Sequence, residues 1–217
     1  MSYTEIDAIR IRWRETRCRT AAEGLRKRGM DARVVEGREA AASEVLSIIP
    51  AGSEVGCGGS VTVRELGLIE RLRERGDNVF AHEAGMSFEE TTAARKRALL
   101  CPYYICSSNA ITLKGELVNV DGIGNRVCGM TFGPSTVVVV AGANKLTADL
   151  DEAMDRIRSV AAPANAMRYN LDTPCVKRGQ CADCRSEVSI CRVTLITTMR
   201  PMLTDLKVIL VPEDLGF

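Results

Sequence analysis

Four cysteines in the last third of the chain have the residue type and the spacing of a metal site. They are Cys175, Cys181, Cys184 and Cys191, in the pattern C-x5-C-x2-C-x6-C. The C-x2-C pair can bind a metal from one turn of chain, and four thiolates complete a shell for Zn²⁺ or hold a [4Fe–4S] cluster. The spacing does not separate these two metals. We predict a metal centre at these cysteines; the alternative is four free or oxidised thiols.

A glycine-rich segment, GCGGSVT at residues 56–62, lies at a predicted strand-to-helix junction. Glycines let the backbone approach a ligand closely, and a helix start offers N–H donors and a dipole that favours an anion. The predicted ligand-binding residues are Gly58, Gly59, Ser60 and Thr62. The alternative is a glycine turn in which Ser60 caps the helix. The spacing matches neither a Walker A loop nor G-x-G-x-x-G, so the sequence specifies no nucleotide cofactor.

A polar loop, NVDGIGNRV at residues 119–127, could supply acid–base chemistry. Arg126 could bind an anion, and Asp121 could act as acid, base or orienting group. Asp-Gly and Gly-Asn are also good turn formers, so a hairpin turn is the alternative. We predict Asn125 and Arg126 as ligand-binding residues and Asp121 as a catalytic residue.

Two further polar residues, Asn144 and Lys145, follow the apolar segment TVVVVAG at residues 136–142. Such a strand is typical of a parallel sheet buried on both faces, and ligand crevices in open α/β sheets lie beyond the carboxyl ends of the strands. Lys145 could neutralise a carboxylate or phosphate, or form a Schiff base if it is desolvated. We predict Asn144 as a ligand-binding residue and Lys145 as a catalytic one; an exposed loop lysine is the alternative.

The only histidine of the chain is His82, and Cys57 lies inside the glycine-rich segment. A thiolate near a helix N-terminus is stabilised, so the two residues could pair across adjacent strand ends. We prefer the alternative, a core cysteine and a surface or strand-end histidine. The sequence has no H-E-x-x-H, G-x-S-x-G or kinase signature.

Strands and helices alternate over the first half of the chain. Short apolar runs predict strands at residues 32–35, 53–59, 78–82 and 103–107, and the segments between them have helical spacing. This order predicts an α/β fold with a mainly parallel sheet.

Several local patterns predict individual elements. The tetrapeptides at residues 2–5 and 87–90 have capping-box spacing, and residues 61–75 have the apolar periodicity of one helix. The Lys114-Gly115 pair predicts a hairpin turn. We expect residues 126–133 to continue this antiparallel excursion.

The chain is predicted to form a single domain over residues 1–217, with an N-terminal helix within residues 1–30. A late apolar strand at residues 207–211 follows the cysteine segment, residues 170–195. The cysteine segment is therefore expected to be an excursion from the domain, inserted before its last strand.

Composition narrows the function classes. The chain has 217 residues, 26% of them charged and 46% hydrophobic, with a formal net charge of +1. This balance is ordinary for a soluble globular protein and indicates neither nucleic acid nor a membrane as a partner. No apolar signal or membrane segment is apparent. Nine cysteines without such a signal favour the reducing cytoplasm.

The sequence resembles the LUD domain family, the lactate-utilization group also called DUF162. The resemblance lies in the run SSNAITLKGELVNVDGIGNRVCGMTFGPSTVVVVAGANKL, residues 107–146, with GCGGSVTVRELGL before it and AAPANAMR, TPC, CADC and VILVPEDLGF after it. These blocks occur in order from Gly56 to Phe217, so the resemblance covers most of the chain.

The resemblance implies a three-layer α/β/α fold like that of the NagB/RpiA/CoA-transferase superfamily. It also implies an association with the oxidation of lactate to pyruvate alongside iron–sulfur partner proteins. The glycine-rich segment, the polar loop and the Asn144–Lys145 pair would line one crevice. The cysteine segment resembles that of only a subset of the family.

We therefore expect a cytoplasmic protein that binds a small anionic metabolite and a cysteine-held metal, as an oxidoreductase subunit acting on a 2-hydroxy acid such as lactate. Arg126 and Lys145 would neutralise the carboxylate, and Asp121 would be the acid or base. Expected partners are iron–sulfur proteins and further copies of the chain in a homo-oligomer. The alternatives are a non-redox isomerase or acyl- or phosphoryl-transfer enzyme with structural zinc, and a non-catalytic redox-sensing scaffold.

Overall fold

The computed structural model describes residues 3–217, which form two sheets surrounded by helices. The strands are β1 (Asp31–Val34), β2 (Glu54–Cys57), β3 (Asn78–Phe80), β4 (Tyr103–Cys106), β5 (Ala110–Thr112), β6 (Leu117–Asp121), β7 (Thr136–Gly142), β8 (Leu146–Thr147), β9 (Val193–Thr197) and β10 (Asp205–Val211). The helices are α1 (Tyr3–Lys27), α2 (Arg38–Ile48), α3 (Val61–Glu65), α4 (Leu68–Glu74), α5 (Phe88–Ala98), α6 (Asn125–Thr131), α7 (Leu150–Arg156), α8 (Ala162–Arg168) and α9 (Pro174–Arg178). A π-helical turn, Ile157–Ala161, joins α7 to α8.

The larger sheet has six strands in the order β1-β10-β7-β4-β2-β3, and every neighbouring pair is parallel. This arrangement confirms the predicted mainly parallel α/β fold, with helices on both faces. Because all six strands run in one direction, their carboxyl ends lie along one edge of the sheet. None of the helices within residues 3–217 combines the length and the apolar character that crossing a bilayer requires.

The apolar strand β7 is buried between two hydrophobic layers. Val137 and Val139 face a core that includes α1 and part of the second sheet. Val138 and Val140 face a core built from α2, α3 and α4. Successive side chains of a strand point to opposite faces, so the continuous valine run places an apolar side chain in each layer.

The smaller sheet has the strand order β8-β5-β6-β9 and packs on the α1 side of the molecule. Its β5 and β6 strands are antiparallel, as the Lys114-Gly115 turn predicted, with Gly115 at a φ of 91°. The backbone of α1 touches this turn, and a Cβ atom on Gly24 would lie 2.6 Å from the carbonyl oxygen of Leu113.

Two predicted elements differ from the observed ones. Residues 126–133 do not continue the antiparallel sheet, because the Asp121 carboxylate accepts the backbone N–H groups of Ile123 and Gly124 and turns the chain into α6. Residues 61–75 form two helices, because Gly67 at a φ of 60° ends the path of α3 and begins α4.

The capping box at Ser87 is confirmed. Its hydroxyl accepts the Glu90 N–H at 3.1 Å, and the Glu90 carboxylate accepts the Ser87 N–H at 2.7 Å. In the other predicted capping box, Ser2 lies outside the described residues. The cysteine segment does precede the last strand, but its final residues begin β9, which pairs with β6.

We expect Gly24→Ala to lower the free energy of unfolding by about 1–3 kcal/mol, as overpacking against backbone does. The clash with the Leu113 carbonyl should exceed the roughly 1 kcal/mol that alanine gains over glycine inside a helix. Urea denaturation measures the difference. The matched control is Glu23→Ala, one residue away on the exposed face of α1. A Gly24→Ala protein as stable as the wild type would show that the helix does not press on the turn.

Candidate functional site

A cavity of about 850 Å³ lies at the carboxyl edge of the large sheet. Residues that directly follow β2, β3, β4 and β7 line one side: Gly59, His82, Ser107 and Lys145. The opposite wall comes from the end of β6, the start of α6, the π-helical turn, α8 and the cysteine segment. The structure thus brings the predicted site segments to one place.

The side chain of Lys145 enters this cavity although the residue is 4% exposed. Its Nζ donates to the Thr62 Oγ1 and to the Ser107 Oγ, each at 2.9 Å. Burial, and then the positive charges of Arg156 and Arg126, lower the pKa of Lys145 to about 7. Lys145 is therefore not the exposed loop lysine of the alternative interpretation.

The guanidinium of Arg126 lies at the cavity wall, where its N–H groups meet protein acceptors. It donates to the Asn119 Oδ1, to the Asn109 Oδ1 at 3.0 Å and to the Val120 carbonyl at 2.8 Å. Its Nε lies 3.5 Å from Asp121, whose other carboxylate oxygen binds backbone N–H groups. Arg126 and Asp121 thus hold the polar loop in place, while their roles toward a ligand stay predictions.

The glycine-rich segment forms the turn after β2. A Cβ atom on Gly59 would lie 2.8 Å from the His82 ring, so a larger residue would displace the histidine. The Ser60 Oγ accepts the Val63 N–H at 3.3 Å and therefore caps α3, as the alternative for this serine predicted. Gly58 lies beside Arg126, with only 3.5 Å between the Arg126 Cγ and the position of a Cβ.

The comparisons with known proteins can be placed on this geometry. The sequence model of the LUD domain matches residues 18–211. The chain belongs to the LUD domain family. Its fold is similar to the crystal structure of a DUF162 family protein from Deinococcus radiodurans, at 12% identity and a TM-score of 0.52, over 91% of this chain and 98% of that one. A comparison with curated proteins gives no match.

The LUD domain family is linked in general to lactate utilization. The family predicted from the residue blocks is therefore confirmed, and with it the coarse functional setting.

Two of the predicted ligand-binding residues of this LUD domain form hydrogen bonds with other parts of the protein. The amide of Asn144 donates to the Gly216 carbonyl at 3.0 Å and accepts the Leu215 N–H at 3.1 Å. It thereby holds the segment that brings Phe217 to the cavity. Thr62 is fully buried and contacts Lys145 through its hydroxyl. Asn125 lines the cavity at the first position of α6.

Three arginines that sequence analysis did not select also line the cavity: Arg95, Arg168 and Arg192. Arg168 donates to the Gly59 carbonyl at 3.1 Å and stacks on Tyr169. Arg95, on α5, has neither a hydrogen bond nor a salt bridge with any of residues 3–217. Arg95 occurs among other charged residues in the sequence, and Arg168 and Arg192 belong to no recognised catalytic motif, so only the tertiary structure distinguishes the three from solvated surface charges.

The structure favours a core cysteine at position 57 over a catalytic pair of Cys57 and His82. Cys57 is buried, and desolvation, followed by the neighbouring Cys106, raises the pKa of its thiol to about 12. Such a thiol is a core residue rather than a nucleophile. His82 lines the cavity, where burial and then Arg95 lower its pKa, so it is neutral at pH 7.

The cysteine segment runs beside the cavity. The backbone N–H of Asp183 donates to the Cys181 Sγ at 3.3 Å, within the C-x2-C pair. Desolvation, and then Cys181, Cys175 and Cys184, raise the pKa of Cys191, so the thiols are electrostatic neighbours. As they stand, no three His, Cys, Asp or Glu side chains in the described part of the chain are arranged to hold an ion. The metal centre stays a prediction.

We expect Arg126→Ala to lower the free energy of unfolding by about 3 kcal/mol, because it leaves buried acceptors and the Asp121 carboxylate unpaired. Denaturant titration measures this loss. The matched control is Arg95→Ala, which removes an arginine from the same cavity without breaking a bond to residues 3–217. Equal stability of the two variants would contradict a structural role for Arg126.

Proposed function

We propose that this LUD domain binds a small carboxylic acid of the 2-hydroxy- or 2-oxo-acid class in the cavity. The main support for this proposal is the excess of positive charge among the residues that line the cavity. Five basic residues line it, namely Arg95, Arg126, Arg168, Arg192 and Lys145, against two acidic ones, Asp121 and Glu187. Low-dielectric walls of one charge sign concentrate the oppositely charged ligand.

The unpaired arginine is the best candidate for a direct contact with the ligand. Arg95 makes no hydrogen bond or salt bridge with the described residues, and the guanidinium group is suited to bidentate recognition of a carboxylate. Arg126 is saturated by protein acceptors, so its contribution to the ligand is mainly its positive charge. The cavity volume of about 850 Å³ is within the range of small-molecule sites.

The proposed reaction setting is the redox metabolism of a 2-hydroxy acid, in line with the family's general link to lactate utilization. Oxidation of a 2-hydroxy acid to a 2-oxo acid releases two electrons and two protons. Because an iron–sulfur cluster accepts one electron at a time, the two electrons would pass in succession, through a cysteine-held cluster or directly, to an iron–sulfur partner protein. Asp121 and the amine of Lys145 are the proposed proton-transfer groups at the cavity wall.

We expect Arg95→Ala to weaken the binding of lactate or pyruvate at least about tenfold, since a charge-assisted hydrogen bond contributes roughly 1.5–3 kcal/mol. Isothermal titration calorimetry measures the affinity. The matched control is Arg97→Ala on the same helix, because Arg97 pairs with Glu54 and lies outside the cavity lining. Unchanged affinity in Arg95→Ala, or an equal loss in both variants, would contradict the proposed contact.

We also propose that Cys175, Cys181, Cys184 and Cys191 hold a metal centre. The proposal rests on the donor types, because four thiols lie in electrostatic range of one another and none forms a disulfide. The Asp183 N–H to Cys181 Sγ bond is the kind of outer hydrogen bond that orients a metal-binding thiolate. Binding would draw the thiols closer together. A [4Fe–4S] cluster would supply electron transfer, whereas zinc would stabilise the segment.

Metal content distinguishes the redox proposal from its alternative, a non-redox enzyme with structural zinc. We expect anaerobically purified protein to contain about four irons per chain with sulfide and to absorb near 400 nm. The double variant Cys181→Ser/Cys184→Ser should lose the metal. The control Cys128→Ser, an exposed cysteine on α6, should retain it. One zinc per chain would favour the alternative, and equal metal content in both variants would contradict the assigned ligands.

A further inference from the structure

The hydrogen bonds around Lys145 fix which groups donate and which accept. The Thr62 hydroxyl donates to the Leu215 carbonyl at 3.3 Å, and the Ser107 hydroxyl donates to the Ser108 carbonyl at 3.4 Å. Each hydroxyl has one hydrogen. Both hydroxyls therefore present lone pairs to Lys145, and the Nζ must be the donor in both contacts.

A neutral amine satisfies this arrangement completely. It has two hydrogens, which bind the two hydroxyls, and its lone pair occupies the remaining tetrahedral position. A protonated amine has a third hydrogen, and Nζ makes no further hydrogen bond and no ion pair with any of residues 3–217. In the neutral form the lone pair is therefore left free, on a side chain that lines the cavity.

The charges around Lys145 act in the same direction. Arg156 and Arg126 disfavour a further positive charge, and Glu65, the acidic residue that opposes them, accepts the Gly216 N–H instead of contacting the amine. Cys106 is also near, but burial raises the pKa of its thiol to about 12, so it remains neutral. Arg156 donates to the Asn144 and Asn109 carbonyls and has no carboxylate partner in the described chain.

We propose that Lys145 is a nucleophile that forms an imine with the carbonyl carbon of a 2-oxo acid in the cavity. This inference rests on the carboxylate-binding function proposed above and adds a covalent step to it. The geometry that carries it is a buried amine with both hydrogens engaged, a free lone pair and a position on the cavity wall.

The step is balanced without a further reactant. The Lys145 lone pair attacks the carbonyl carbon, and the carbonyl oxygen takes up protons from the amine and from solvent. The carbon–oxygen bond then breaks, water leaves, and the carbon–nitrogen double bond forms. The adduct carries the substrate's carboxylate, whose charge the surrounding arginines favour. A 2-hydroxy acid has no keto group, and its carboxylate does not condense with an amine to an imine, so the covalent step selects the oxidised member of the pair.

Reductive trapping tests the inference on the whole chain. Protein is incubated with pyruvate and sodium cyanoborohydride, and the product is analysed by intact mass and peptide mapping. We expect one reduced adduct per chain, located on Lys145, and none with lactate in place of pyruvate. Lys145→Arg should abolish the adduct, whereas Lys114→Arg, at an exposed turn lysine, should retain it. Labelling spread over surface lysines, or no labelling, would overturn the inference.

The pH dependence provides a test in the wild-type protein, should Lys145→Arg fail to fold. The reactive form is the neutral amine, and the pKa of Lys145 is lowered to about 7. Initial trapping rates at Lys145 should therefore fall as the pH decreases below 7 and level off above it. An ordinary lysine would keep gaining reactivity up to pH values near 10. A profile of the second type at Lys145 would also overturn the inference.

Calorimetry separates this inference from the function on which it rests. If lactate and pyruvate bind reversibly but pyruvate leaves no adduct, carboxylate binding stands and the imine is excluded. If neither acid binds and no adduct forms, the proposed function fails as well. If instead pyruvate leaves an adduct confined to Lys145, the covalent step is supported.

Discussion

One partly buried guanidinium joins the two sheets at the place where the cavity forms. Arg126 donates to the Ser107 carbonyl beyond the end of β4 and to the Val120 carbonyl on β6. It also contacts the side-chain oxygens of Asn109 and Asn119. Arginine suits this position because its planar group presents five donors in fixed directions. Without this link, the polar loop would lose its attachment to the carboxyl edge of the large sheet.

The same cation shapes the chemistry of the cavity. Burial, and then the positive charges of Arg156 and Arg126, lower the pKa of Lys145 to about 7. Placing several like charges in one region lowers stability, and proteins accept that loss where the charges serve a ligand. The large hydrophobic layers on the two faces of β7 provide the compensating burial.

The sequence predicted the parallel sheet and the edge at which the candidate residues meet because both depend on local patterns. The valine run before Lys145 indicates a buried strand, and parallel strands bring their carboxyl ends together wherever they occur in the chain. Residues 126–133 were assigned wrongly because the apolar spacing of a short helix resembles that of a hairpin strand. The helix begins here because the Asp121 carboxylate accepts the backbone N–H groups of Ile123 and Gly124, a contact that the apolar spacing does not reveal.

The roles of single polar side chains were harder to predict, since they depend on tertiary partners. Thr62 was expected to contact a ligand but supports Lys145, over 83 positions of sequence separation. Asn144 likewise holds Gly216 and Leu215. Arg95 looks like any charged residue of an amphipathic helix until α5 is packed at the mouth of the cavity. The periodicity of the sequence does not reveal such contacts between residues that are far apart in the chain.

The residues between Cys184 and Cys191 are part of the cysteine segment and also part of the cavity wall. Glu187, Val188 and Ile190 form part of the cavity wall, and Ile190 packs on Gly122. If the proposed metal gathered the thiols, it would act on this wall. Thermodynamic linkage makes such a coupling reciprocal: an ion that reshapes the cavity changes the affinity for an acid by the factor by which the acid changes the affinity for the ion. Through the cysteine segment, the metal or redox state of the chain would then change how much of the metabolite is bound in the cavity.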